Sequence, residues 1–148
     1  MSSYTQIIYQ IVFSTKDREN SITKEYKEIL YKYIWGILEN KKCHLYRING
    51  IENHIHIVSS LHPGVALADL IKDIKVVSSS MIKEKQIFPM FNGWQVGYGA
   101  FTYSIDAKEN LIEYVKNQEE HHKKETFIEE YKRLLQEFNI DFDERYLF

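Results

Sequence analysis

Hydrophobic and polar positions change their period several times along this chain, and each change marks an element. From Tyr4 to Phe13 β-favouring residues dominate (Tyr4, Ile7, Ile8, Tyr9, Ile11, Val12, Phe13) and predict a first strand. A polar loop, Ser14 to Asn20, carries Lys16 and Arg18. Ile22, Tyr26, Ile29, Tyr33 and Ile37 then recur at helical spacing, with Ser21 or Thr23 as cap, and predict a helix ending near Asn40. Cys43 to Ile48 reads as a second strand, and Asn49-Gly50 as a hairpin turn, since both residues tolerate positive φ. The partner strand is Asn53-His54-Ile55-His56-Ile57-Val58-Ser59-Ser60, where polar and branched apolar residues alternate.

His62-Pro63-Gly64 interrupts the pattern, and a second helix follows from about Ala66 to Lys85. Leu67, Leu70, Ile71, Ile74, Val77 and Met81 form its buried stripe. Lys72, Lys75, Ser79 and Lys83 share about 80° of its other side, either as a solvated face or as a ridge that contacts phosphates. A glycine- and aromatic-rich stretch from Phe91 to Gly99 leads into a strand at Tyr98 to Tyr103. Asp106 then caps a helix to Glu120, with Leu111, Ile112 and Val115 as its apolar stripe. After a charged break, Glu119 to Glu125, comes a last amphipathic helix from Thr126 to Phe138. The order strand, helix, strand, strand, helix, strand predicts a ferredoxin-like α+β domain (βαββαβ), one domain over residues 1–148. Both inner helices cover the face that takes Ile55 and Ile57, leaving the other face to the C-terminal helices.

On that second face the alternation stands His54 beside His56, close enough for two imidazoles to chelate one divalent ion. Tyr114 and Gln118 are four residues apart, hence neighbours on one helix face. They read either as an amphipathic rim residue and an exposed amide, or as a phenol beside an amide oxygen that supplies a third ligand. Imidazole ligands by themselves point to zinc or iron. The lone Cys43 excludes an internal disulfide and a cysteine-based zinc site. A net charge of −2 argues mildly against bulk nucleic-acid binding, while the 14% aromatic content suits either base stacking or an ordinary core. With no membrane-spanning run and no charged-then-apolar leader, the expected location is cytoplasmic.

Several segments taken together resemble the single-tyrosine transposases of insertion sequences, within the HUH endonuclease superfamily. They are Gln10-Ile11-Val12-Phe13-Ser14-Thr15-Lys16, Gly50-Ile51-Glu52-Asn53-His54-Ile55-His56 and Ser78-Ser79-Ser80. Trp94-Gln95-Val96-Gly97-Tyr98-Gly99-Ala100-Phe101 and Tyr114-Val115-Lys116-Asn117-Gln118-Glu119-Glu120-His121-His122 complete the set. Asn53 is a departure, because such proteins often carry Asp before the first histidine. The resemblance implies metal-dependent cleavage and rejoining of single-stranded DNA at the hairpin ends of a mobile element. Tyr114 would be the nucleophile, forming a 5′-phosphotyrosine, with His54, His56 and Gln118 as ligands of Mg2+ or Mn2+.

His121 could assist proton transfer, or simply sit favourably at a helix C-terminus. Lys16, Arg18, Lys72, Lys75 and Lys83 are the candidate DNA backbone contacts. The resemblance also implies a homodimer with active sites shared between subunits. Three rival readings stay open. One is a non-catalytic ferredoxin-like nucleic-acid-binding module, and another a metallohydrolase that uses water in place of Tyr114. The third is a domesticated relative that processes chromosomal repeats.

Overall fold

The structure, a computed structural model, describes residues 2–147. Its strands are β1 (Ile8–Ser14), β2 (His44–Ile51), β3 (His54–Ser60) and β4 (Gly99–Tyr103), in the spatial order β2-β3-β1-β4. Every neighbouring pair is antiparallel. The helices are α1 (Lys27–Asn40), α2 (Leu67–Lys85), α3 (Lys108–Lys116), α4 (Gln118–His121) and α5 (Phe127–Glu137). This is the ferredoxin-like βαββαβ order that the alternation of elements predicts.

Strand alternation divides the interior into two layers. Ile11, Phe13, Ile55 and Ile57 pack with Leu30, Ile34, Leu70 and Ile74 under α1 and α2. On the opposite face Ile8 and Val58 meet Leu111 and Val115 of α3, while Val12 and Phe101 meet Leu134 and Leu135 of α5. His54 and His56 belong to this second face and are buried by the C-terminal helices.

Several local expectations are corrected. Asn49 and Gly50 are not a turn: they lie within β2, opposite His56 and Ile55, and the hairpin turns at Glu52-Asn53. Gly50 is required by close approach, since a Cβ there would lie 2.0 Å from the His54 carbonyl oxygen. α1 starts at Lys27 behind Tyr26, with no side-chain cap, so neither Ser21 nor Thr23 caps it. Its buried residues are Leu30, Tyr31, Ile34 and Leu38, whereas Tyr26, Ile29 and Tyr33 are largely exposed. Both sets repeat at helical spacing, and the more aliphatic one wins the core.

In α2 Val77 is exposed, and Ser78 takes the buried place by accepting a hydrogen bond from Trp94 Nε1 at 3.0 Å. Tyr4 lies outside β1 and is exposed. The predicted Asp106–Glu120 helix is interrupted at Asn117 (φ −96°, ψ 24°), and Asp106 falls in a 3-10 turn without capping anything. The bend carries the chain across the second face of the sheet and delivers α4 and then α5 over the histidines. A capping box at Thr126 and Glu129 starts α5.

Candidate metal centre and nucleophile

β3 is an interior strand between β1 and β2, so its backbone is held on both sides and the two imidazoles project from a rigid element. The ring centroids of His54 and His56 are 5.0 Å apart. His54 Nδ1 lies 2.8 Å from Asn53 Oδ1, so the amide fills the orienting role that an aspartate would have. His56 Nδ1 is 2.7 Å from Gln10 Oε1, and Gln10 Nε2 in turn donates to the Tyr103 hydroxyl at 2.7 Å. Phe127 stacks on His54 with centroids 4.1 Å apart and closes the site on one side.

The opposite ring nitrogens point at the helices. His54 Nε2 is 3.1 Å from Gln118 Oε1, and His56 Nε2 is 3.0 Å from Glu130 Oε1. His122 joins them, its Nε2 at 2.9 Å from Gln118 Oε1 and 3.0 Å from Glu130 Oε1. The bend at Asn117 lets α4 present Gln118 and His122, one turn apart, to the same point. Glu130 Oε2 accepts hydrogen bonds from the Tyr114 hydroxyl and from Gln118 Nε2. Arg133 Nη2 donates to the same Tyr114 oxygen at 2.8 Å and pairs with Glu125.

Burial pushes His54 down to about 4, which leaves its imidazole neutral near pH 7. Burial alone would raise the Glu130 carboxyl, but the facing histidines, His56 foremost, hold it well below the usual carboxylate range. The Tyr114 phenol is raised by burial first and by the Glu130 charge second. One ligand atom from each of His54, His56, His122 and Glu130 lies within 4.8 Å of the others, a donor set that fits a divalent cation.

The fold therefore brings His54, His56, Gln118 and Tyr114 together within one chain. His121 also lies close, with its ring 5.2 Å from that of Tyr114 and its Nε2 2.6 Å from Glu125. The candidate DNA contacts lie elsewhere. Lys16 and Arg18 occupy a 3-10 turn, tied to the loop before β4 by Asp17 N donating to Gln95 Oε1. Lys72 and Lys75 border a 460 Å³ groove between α2 and residues 94–98. Lys75 is half-buried, and its ammonium already donates to the Gln95 and Gly97 carbonyls. Lys83 stands apart at the end of α2, beside Phe88 and Pro89.

Sequence reasoning missed Gln10's role, His122, Glu130 and Arg133. One signal was available for Glu130, a carboxylate inside the apolar stripe Phe127, Leu134, Leu135 of α5.

A four-stranded antiparallel sheet bearing a histidine pair on an inner strand and a tyrosine on a covering helix defines the class: an α+β protein of the tyrosine transposase fold. The model of the IS200-like transposase family matches residues 3–118, and the chain belongs to that family. Two solved structures share the fold. A candidate transposase from Deinococcus radiodurans R1 is 20% identical, with a TM-score of 0.61 over 80% of this chain and 95% of that one. A REP-associated tyrosine transposase bound to a REP hairpin is 13% identical, with a TM-score of 0.62 over 82% of this chain and 74% of that one. No curated protein matches. Among the described residues no helix is long and apolar enough to cross a membrane.

Proposed function

We propose that this transposase cuts and rejoins single-stranded DNA at the hairpin ends of a mobile element, with Tyr114 as nucleophile. The observation that carries the reading is the convergence of a phenol, two strand-borne imidazoles and a carboxamide at one buried point. A lysine-rich binding module would have no use for that set. Tyr114 Oη attacks the scissile phosphorus, the 3′-oxygen departs, and the products are a 5′-phosphotyrosine and a free 3′-hydroxyl. The linkage keeps the phosphodiester energy, so rejoining needs no nucleotide cofactor.

Glu130 Oε2 accepts the phenol's hydrogen bond and orients it, and as the new P–O bond forms the phenol proton ends on the departing 3′-oxygen. Arg133 donates to the phenol oxygen and stabilises charge as it develops there. His54, His56 and Gln118 would hold the ion, Mg2+ or Mn2+ by family resemblance, which supplies Lewis-acid polarisation of the phosphate. A cleft of 210 Å³ beside Tyr114 and Arg133 offers the side from which a strand could approach.

His121, bonded to Glu125, is a further station for the proton. Lys16, Arg18, Lys72 and Lys83 would hold the DNA backbone outside the site. In a homodimer, each protomer would carry its own complete set. A repeat-processing relative would use the same chemistry on chromosomal hairpins.

The test is incubation of labelled single-stranded hairpin DNA with Mn2+, followed by a denaturing gel. The unaltered protein should give a protein–DNA band, and Tyr114→Phe should lose it while still retarding the DNA on a native gel. Cleavage by Tyr114→Phe at the original rate would point to a water nucleophile instead.

A further inference from the structure

The three buried imidazoles present a problem that a cation solves. A neutral imidazole has one N–H and one lone pair. His122 Nδ1 faces the Glu125 backbone carbonyl at 2.8 Å, an atom that can only accept, so the proton sits on Nδ1. His54 Nδ1 faces Asn53 Oδ1, and His56 Nδ1 faces Gln10 Oε1, whose amide nitrogen is engaged with Tyr103. Each Nδ1 thus faces an acceptor on the outside, and three Nε2 atoms turn inward upon one another.

What they meet is not a donor. Glu130 Oε1 lies 3.0 Å from His56 Nε2, 3.0 Å from His122 Nε2 and 3.4 Å from His54 Nε2. Two ligand atoms each about 2.1 Å from one ion are separated by roughly 3.0 Å in octahedral and 3.4 Å in tetrahedral geometry. The observed spacings fall in that interval. All four side chains are essentially buried, so the cluster is closed to bulk water.

We infer that the ion is held by Nε2 of His54, His56 and His122 together with Oε1 of Glu130, so that α5 completes the metal centre. Glu130 lies beyond residues 3–118, the span the family model matches, and so does His122. The two carboxylate oxygens divide the work, with Oε1 on the ion and Oε2 on the Tyr114 hydroxyl. Gln118 Oε1, 3.1 Å from His54 Nε2 and 2.9 Å from His122 Nε2, keeps its place as a ligand beside them, while its Nε2 donates to Glu130 Oε2. Three nitrogen donors and one carboxylate select Mn2+ or a later divalent transition metal over Mg2+, which prefers oxygen ligands.

The inference rests on reading this cluster as the metal centre of the proposed reaction, and binding is measured without DNA so that the two can fail separately. Titration calorimetry of the apo-protein with Mn2+ should give a single site that excess Mg2+ competes for poorly. Glu130→Gln and His122→Ala should each weaken Mn2+ binding by about tenfold or more. Because either variant could unfold, the unaltered protein provides a second readout. Imidazole nitrogen NMR with Zn2+ as diamagnetic probe should show three histidines ligated through Nε2. Unchanged Mn2+ affinity in both folded variants, or two ligated histidines, overturns the assignment. A three-histidine site without a DNA adduct would instead leave it standing and remove the nuclease reading.

Discussion

Tyr114 is the residue in which structural and chemical demands meet. Its hydroxyl is fixed by Glu130 and Arg133, and its phenol is held protonated by burial and by the neighbouring carboxylate. In the proposed reaction a phenol held in that state would stay idle until the phosphate enters and the charge balance changes. Two half-buried phenols, Tyr103 and Tyr131, carry a simpler consequence. Burial raises Tyr131 to about 12, and Tyr103 rises to about 12 for the same reason, less the hydrogen bond from Gln10. An unfolded tyrosine ionises near 10, so their contribution to stability is complete below that pH and drains away as pH climbs towards 12. Chemical denaturation followed across this window should show falling stability, with a shallower fall in Tyr131→Phe. Identical slopes would mean that the Tyr131 phenol is not raised in the folded protein.

Among the elements, the β2–β3 hairpin sets the position of the imidazoles, and Gly50 sets how closely its strands approach. Gly50→Ala has no room beside the His54 carbonyl and should cost about 3 kcal/mol or more by thermal or urea melting. Gly36, inside α1 with nothing within 4 Å of its missing Cβ, makes the contrast: Gly36→Ala should stabilise by about 0.5–1 kcal/mol. Two alanine variants of equal stability would refute this account of the hairpin. The same glycine shows where sequence reading stops. Asn49-Gly50 has turn chemistry, but the residue is spent on a close backbone contact that only the folded pair reveals. The histidine strand was legible because its period of two is a local property. The α1 stripe was misread because two apolar sets share one helix and only tertiary packing chooses between them. Glu130 meets His56 from 74 residues away, and its only local trace is a carboxylate on an apolar face.

At the scale of the molecule, the sheet separates two tasks. α1 and α2, with Lys72 and Lys75, cover one face, and the candidate metal centre lies under α3 to α5 on the other. In the proposed reaction, DNA held on the lysine side would have to pass round the sheet to reach Tyr114. Residues 95–98 border the α2 groove on one side and a second cleft reaching Phe127 on the other, which marks a route between them. One chain also supplies every member of the site, so mixing Tyr114→Phe with His56→Ala protein should restore no adduct formation. Recovery on mixing would show that subunits exchange their nucleophile helices. The most direct test of the central claim is mass spectrometry of the tryptic peptide Glu109–Lys116 after reaction with single-stranded hairpin DNA and Mn2+. That peptide should carry a nucleotide phosphate on Tyr114, whereas a modification on another residue, or cleaved DNA with the peptide unmodified, would contradict it.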